Sequence, residues 1–238
     1  MAAVKQFRIG VEGGGEVSAL LTRPTNARRL LVLAHGAGAG MIHPFMEMLA
    51  DELAGVAVAT LRYQFPYMKE RRRVPDAPAV LIATVVATVQ AAAEAAPGLP
   101  LLAGGKSMGG RMTSQAAARR PLDGVRGLVF FGFPLHPLNR LGTKRADHLA
   151  KVAMPMLFLQ GGSDYQVTRE DFQIWQDALG GRSDVQFTMY PGLSHLFMPV
   201  EGGQKATPAT YTVAGHVAEE VVNEIGSWIK PYKVARMR

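Results

Sequence analysis

Short apolar runs alternate with amphipathic segments along most of the chain. An unbroken apolar run is typical of a strand buried on both faces of a sheet, whereas apolar residues three or four positions apart indicate a helix. The predicted buried strands are 30–34, 56–61, 101–103, 127–131, 156–160 and 185–190. The predicted helices begin at Pro44 and then cover 79–95, about 108–119, about 168–179 and a last segment with Val213, Val217, Val221, Ile225 and Trp228 in register.

This order of strands and helices predicts the fold class. Strand–helix alternation with buried strands is typical of a parallel, doubly wound sheet with right-handed crossovers. Residues 4–22 alternate weakly around the glycines at 13–15, which indicates an antiparallel hairpin at one sheet edge. We therefore expect an α/β fold, a three-layer α/β/α sandwich with a mostly parallel sheet, formed by residues 1–238 as a single domain. Ligands of such sheets bind at the carboxyl ends of the strands.

The strongest chemical signal is the stretch 101–111, LLAGGKSMGGR. An apolar strand leads into G-x-S-x-G at 105–109, and a helix of small residues follows, which is the pattern of a nucleophile elbow. On such a sharp turn Ser107 is exposed at the edge of the sheet. Its neighbours must be small because the strand and helix backbones nearly touch. Ser107 is therefore the candidate nucleophile.

The same residues allow a second interpretation. Gly105, Lys106 and Ser107 also match the end of a phosphate-binding loop, G-x-x-x-x-G-K-[ST]. That motif requires a glycine at position 100, where the chain has Pro100, and it requires a loop where 101–103 predict a strand. We therefore favour the nucleophile elbow.

A nucleophilic serine needs a base and a group that orients the base. Asp164 directly follows the predicted strand 156–160, and His195 follows the predicted strand 185–190. Serine, then aspartate, then histidine is the chain order that accompanies a nucleophile elbow of this kind. We expect His195 to be the base and Asp164 to orient it. Three further histidines are interpreted as structural or exposed: His136, His148 and His216.

The glycine-rich segment 35–40, HGAGAG, follows the first buried strand. In sites of this kind the oxyanion is bound by the backbone N–H after the nucleophile and by an N–H from the loop after an early strand. These donors are predicted to be Met108 and Ala37. We also expect His43 and Tyr67 to bind the substrate, although His43 is equally well placed to act at the start of the helix that begins at Pro44.

Several motifs together resemble a small lidless branch of the α/β-hydrolases that includes dienelactone-hydrolase-like proteins. They are HGAGAGM at 35–41 with HPFM at 43–46, FPYM at 65–68, GGKSMGGR at 104–111, PLHP at 134–137, and Gln160 to Asp164 with His195. The resemblance covers nearly the whole stretch from 30 to 200. It implies serine hydrolysis of an ester-like substrate with no metal and no cofactor. Dienelactone hydrolases use cysteine, so their particular reaction is less supported, and Ser194 stands where an acidic residue is common in this branch.

Composition narrows the function classes further. The chain has no cysteine, which excludes disulfides, thiolate metal sites and a cysteine nucleophile. The net charge of +7 is partly concentrated in 69–73 and 230–238. Because no aromatic platform or nucleic-acid-binding motif accompanies these runs, we interpret them as solvated faces, and we expect 69–73 to attract anionic substrates. The uncharged stretch 77–93 predicts a helix half-buried against the sheet, and no signal segment is visible, so we expect a cytoplasmic enzyme.

The connection 133–155 is too short for a cap domain, and its one predicted helix, 144–152, carries a charged face. We therefore expect an open site. The sequence predicts a serine hydrolase that cleaves carboxylic esters or thioesters of small soluble substrates through an acyl-enzyme. The alternative is a catalytically silent scaffold or interaction protein. We expect a small-molecule ester as the partner, with no nucleic acid and no membrane, and the oligomeric state stays open between monomer and homodimer.

Overall fold

The predicted apolar runs form a single sheet in the computed structural model, which describes residues 2–137, 142–200, 206–207 and 215–228. Eight strands pair in this described part. Their bounds are β1 Ala3–Val11, β2 Gly15–Arg23, β3 Arg29–Ala34, β4 Val58–Tyr63, β5 Leu101–Lys106, β6 Val125–Phe131, β7 Met156–Gly161 and β8 Val185–Tyr190.

The strand order is β1-β2-β4-β3-β5-β6-β7-β8. Across the sheet, all strands from β4 through β3 to β8 are parallel, whereas β2 pairs antiparallel with both β1 and β4. The hairpin therefore occupies one edge, as predicted, and β5 lies near the middle of the sheet. The mostly parallel α/β fold expected from the sequence is confirmed.

Helices cover both faces of the sheet. Their bounds are α1 Pro44–Gly55, α2 Pro66–Lys69, α3 Pro78–Ala95, α4 Met108–Arg119, α5 Arg169–Leu179 and α6 Glu219–Trp228. Buried side chains of α1 and α6 share one apolar core, and those of α3, α4 and α5 share the other. Alternate residues of β3 enter the two cores, Leu31 and Leu33 on one side and Leu30 and Val32 on the other, which explains why this strand is apolar throughout.

Two local predictions differ from the structure, and a third group of residues lies outside the described ranges. The strand predicted at 56–61 begins two residues later, because Val56 caps α1 and Ala57 has a φ of 62°. The predicted helix 144–152 is a short 3₁₀ helix, Asp147–Lys151, and it is the only helical element among the described residues of the β6–β7 connection. Val213 and the basic run 230–238 lie outside the described residues.

The apolar stretch predicted to pack on the sheet does so. Helix α3 is the one helix in the described ranges whose length and composition would let it cross a membrane, and single core helices often pass that test. Here it contacts β1, β3, β5 and α4. Leu81, Val85 and Val89 on its inner face are buried.

The centre of the sheet depends on close backbone packing at Gly104. A Cβ placed on this residue would lie 1.8 Å from Val129 O of the neighbouring strand β6. Gly10 in the edge strand β1 offers a contrast, because a Cβ there would meet no atom within 4 Å.

We expect Gly104→Ala to destabilise the protein by at least about 3 kcal/mol, because backbone atoms of β6 cannot move away without disrupting the sheet. Gly10→Ala is the matched control and should change the free energy of unfolding by less than about 1 kcal/mol. Urea denaturation of both variants provides the comparison. Equal stability of the two variants would show that β5 and β6 are not packed this closely.

Candidate active site

Ser107 stands at the turn between β5 and α4. Its φ of 49° and ψ of −113° are unusual for a residue with a side chain, and strain of this kind is a feature of functional turns. Gly105 and Gly109 flank it, and a Cβ on either would lie 2.5 to 2.6 Å from the carbonyl oxygen of Ala34. The strand and the helix therefore come together as closely as the sequence pattern indicates.

The phosphate-loop interpretation is wrong. Residues 101–106 form strand β5, so no loop precedes Lys106 and Ser107. The Lys106 side chain is buried and its Nζ donates a hydrogen bond to Phe131 O at 3.3 Å. A lysine of a phosphate-binding loop would instead reach towards the phosphates of a nucleotide.

Asp164 and His195 lie side by side after β7 and β8. The Asp164 Oδ2 to His195 Nδ1 distance is 2.5 Å, and both side chains are buried. Three further donors hold the Asp164 carboxylate: Gln160 Nε2 at 3.0 Å, Gln166 N at 2.7 Å and Val167 N at 3.2 Å. The carboxylate is thus fixed in position with its negative charge directed at the imidazole.

The imidazole and Ser107 each lie near the carboxyl end of β6. Ser107 N donates to Phe131 O at 3.0 Å, and the next residue, Gly132, has a φ of 61°. A Cβ on Gly132 would lie 2.9 Å from His195 Nδ1 and 3.0 Å from Lys106 Nζ. Gly132 therefore leaves the space in which the imidazole and the lysine sit next to each other.

The glycine-rich loop after β3 reaches the same place. A Cβ on Gly36 would lie 3.8 Å from Ser107 Cβ. The buried His35 ring stabilises this loop, since its Nδ1 donates to Gly36 O at 2.7 Å and its Nε2 accepts from Phe65 N at 3.1 Å. Burial lowers the pKa of His35 to about 4, so the ring is neutral at neutral pH.

The two N–H groups predicted to bind an oxyanion are those of Ala37 and Met108. Both residues line a cavity together with Ser107. In the described part of the chain neither N–H donates a hydrogen bond to a protein acceptor. Both are therefore available to an oxygen atom bound in the cavity.

The two residues expected to bind substrate have other contacts in the structure. His43 is the N-cap of α1, where its Nδ1 accepts a hydrogen bond from Phe45 N at 3.2 Å. Tyr67 is buried, and its hydroxyl accepts from Gly38 N at 3.3 Å. Neither is among the residues that line the cavity, so their visible contacts stabilise the surrounding loops.

The cavity at Ser107 has a volume of about 270 Å³. The sequence interpretation missed several of its polar residues: Arg111, His136, Arg145 and Gln166. His136, expected to be structural or exposed, lines this cavity, and its Nε2 lies 3.0 Å from Asp171 Oδ1. A larger cavity of about 580 Å³ lies beside α1 and α6, but it contains none of the candidate catalytic residues.

Lys106 is a buried residue whose charge acts on the candidate base. Burial lowers its pKa to about 7, and the charge of Asp164 opposes this shift. Burial and the charge of Lys106 together lower the pKa of His195 below its ordinary value, against the opposing effect of Asp164. Burial raises the pKa of Asp164, but the charges of His195 and Lys106 and the hydrogen bonds to the carboxylate outweigh it, so that this pKa is low overall.

The arrangement therefore holds an ionised aspartate against a neutral histidine at neutral pH. A neutral histidine that donates from Nδ1 presents Nε2 as a proton acceptor. In the described ranges no cluster of three or more histidine, cysteine, aspartate or glutamate side chains could hold a metal ion.

Comparison with known proteins agrees with this geometry. Residues 27–226 match the family described as "Alpha/beta hydrolase domain". The dienelactone hydrolase from Anabaena variabilis has a similar structure, with a TM-score of 0.68 over 94% of this chain and 96% of that one. Sequence identity between the two is 21%, so the likeness concerns the fold.

Two curated relatives share parts of the sequence. The chain is 42% identical to Esterase EstD from Thermotoga maritima over 79 residues, which is 33% of this chain and 19% of that protein. It is 31% identical over 193 residues to a putative phosphoribosyl transferase from Mycobacterium tuberculosis, which is 79% of this chain and 41% of that protein. The chain therefore spans less than half the length of these relatives.

We expect Lys106→Met to raise the pKa of His195, because it removes a positive charge that disfavours the imidazolium. The titration of His195 can be followed by NMR of the imidazole nitrogens, which requires no activity. The wild-type midpoint should lie below about 6.5, the ordinary value for histidine. Lys151→Met, which removes an exposed lysine, should leave the midpoint unchanged. An unaltered midpoint in Lys106→Met would exclude electrostatic control by this residue.

Proposed function

Because the chain belongs to the alpha/beta hydrolase family, we propose that it is a serine hydrolase that cleaves carboxylic esters or thioesters of small soluble substrates. The observation that supports this proposal is that Ser107, on its strained turn after β5, lies at the same edge of the sheet as the Asp164–His195 pair after β7 and β8. The name of the relative EstD agrees with ester hydrolysis. More than half of the putative phosphoribosyl transferase lies outside the match, so its name carries no argument here.

Acylation begins when Ser107 Oγ attacks the carbonyl carbon of the ester and His195 Nε2 takes the hydroxyl proton. Asp164 keeps the Nδ1–H tautomer and stabilises the imidazolium that forms. The carbonyl oxygen becomes an oxyanion, which accepts hydrogen bonds from the N–H groups of Ala37 and Met108. Each such donor contributes about 3 kcal/mol to the stability of the transition state.

The bond to the leaving group then breaks. The alcohol or thiol departs with the proton held by His195, and the acyl group remains on Ser107 as an ester. In deacylation a water molecule attacks this ester and His195 accepts a proton from it; His195 then donates that proton to Ser107 Oγ as the carboxylic acid leaves. Burial of His195 and the charge of Lys106 lower the pKa of the imidazole, which favours its neutral form between the two steps.

We expect Ser107→Ala and His195→Ala each to lower kcat/KM for a short-chain p-nitrophenyl ester by at least about 10³-fold. A fluorophosphonate probe should label the wild-type protein at Ser107 and fail to label Ser107→Ala. Ser227→Ala, an exposed serine on α6, is the matched control and should retain full activity and labelling.

Two results would contradict this assignment. If Ser107→Ala kept most of the wild-type rate, another residue would be the nucleophile. If the folded wild-type protein neither reacted with the probe nor hydrolysed any ester tested, the scaffold function would be the better description.

We expect kcat/KM to rise with pH through one ionisation whose midpoint lies below about 6.5. The direction follows because only neutral His195 accepts a proton, and burial and Lys106 lower its pKa. The measurement is a pH–rate profile with a neutral ester from about pH 4 upward, with stability controlled by return to neutral pH. A midpoint clearly above the ordinary histidine value would contradict the electrostatics of the site.

A further inference from the structure

Two arginines share the cavity with Ser107. Arg111 lies on the first turns of α4, four residues after the nucleophile, and Arg145 comes from the connection between β6 and β7. One helical turn separates Ser107 from Arg111, about 6 Å along the helix axis. Both arginines therefore border the cavity that an acyl group on Ser107 would enter.

Within the described ranges, no carboxylate compensates the charges of these arginines. Neither forms a salt bridge with a carboxylate in the described part of the chain. Arg111 Nε is buried and has no hydrogen-bond partner there. Arg145 Nη1 donates to His136 O at 2.9 Å, which orients its guanidinium without neutralising it.

The pKa shifts of the two arginines agree with their lack of carboxylate partners. Burial lowers the pKa of Arg111 to about 10, and the charge of Arg145 contributes to the shift. Burial alone lowers the pKa of Arg145. Two like charges that are partly withdrawn from water repel each other, and an anion between them removes both the repulsion and the unsatisfied hydrogen-bonding capacity.

The other arginines in the described part of the chain do not line this cavity; Arg29, whose buried Nη1 also lacks a hydrogen-bond partner, lies at the start of β3. Arg72 pairs with Glu70 and Asp76, and Arg182 pairs with Asp184 at 2.8 Å. The basic run 69–73, which the sequence suggested as an attractor of anions, contributes no residue to the lining of the cavity. The uncompensated positive charge beside Ser107 therefore comes from Arg111 and Arg145.

We propose that Arg111 and Arg145 bind an anionic oxygen group of the substrate, so that the enzyme selects small esters or thioesters bearing a carboxylate or a phosphate. Guanidinium groups present forked donors that match both kinds of oxyanion. The cavity volume of about 270 Å³ limits the substrate to a small molecule. This substrate class rests on the proposed serine hydrolase function.

The kinetic test uses esters that differ only in charge. 4-Acetoxybenzoate, 4-acetoxyphenyl phosphate and methyl 4-acetoxybenzoate place a carboxylate, a phosphate or a neutral group on the leaving side. Monoethyl glutarate and ethyl pentanoate form the corresponding pair on the acyl side. We expect wild-type kcat/KM to be at least about 10-fold higher for an anionic ester than for its neutral counterpart. The preferred anion identifies the carboxylate or the phosphate as the natural group.

Arg111→Gln and Arg145→Gln should each lower this anionic-to-neutral ratio by about 10- to 100-fold. Arg111→Lys and Arg145→Lys retain the charge and should recover part of the ratio, which separates a binding role from a loss of folding. Arg73→Gln removes an exposed arginine that does not line the cavity and should leave the ratio unchanged. Circular dichroism and thermal unfolding check that each variant is folded.

A binding measurement separates this inference from the proposed function. Calorimetric titration of Ser107→Ala with glutarate, 4-hydroxybenzoate and inorganic phosphate should detect binding of at least one anion. The affinity for that anion should fall at least about 10-fold in the double variant that also carries Arg111→Gln. If this loss of affinity is observed but the wild-type protein hydrolyses no ester, the anion site is supported and the hydrolase function is rejected. The anion site would be rejected, and the hydrolase function retained, if neutral esters were hydrolysed as fast as anionic ones and both glutamine variants showed the wild-type ratio. An equal effect of Arg73→Gln would also overturn it, because the preference would then reflect general surface charge.

Discussion

Close backbone packing at the end of β5 is the constraint on which the site depends. Gly105 and Gly109 bring the start of α4 against the carbonyl oxygen of Ala34, and a side chain at either position would separate helix and strand. That approach holds Ser107 in its strained conformation and places the loop after β3 beside it. The position of the candidate nucleophile is therefore set by backbone contacts, which vary less than side-chain contacts.

Electrostatic control of the site comes from burying three charged or titratable groups together. Lys106 lies beside the Asp164–His195 pair, where its charge stabilises the carboxylate and disfavours the imidazolium. Bringing a lysine into the protein interior is unfavourable by itself, and the neighbouring carboxylate and the carbonyl of Phe131 offset part of that energy. As a result, the pKa of His195 is lowered and its neutral form is favoured.

The positive charges that line the cavity have a different role from that of Lys106. The charge of Lys106 lowers the pKa of His195, whereas Arg111 and Arg145 line the space where a substrate would lie. His136 links the cavity to α5, since it lines the cavity, provides the carbonyl that orients Arg145 and pairs with Asp171 at the start of α5. The cavity volume of about 270 Å³ is the size of a small-molecule site.

The sequence by itself determined the strand–helix order, the turn at Ser107, and the placement of Asp164 and His195 at the ends of β7 and β8. Each depends on local patterns, because strand ends and tight turns are encoded by neighbouring residues. Only the tertiary structure decided that Lys106 is buried, that His43 caps α1, and that residues 111, 136 and 145 meet in one cavity. Burial and through-space charge depend on side-chain direction and on contacts between distant segments, which no local pattern records.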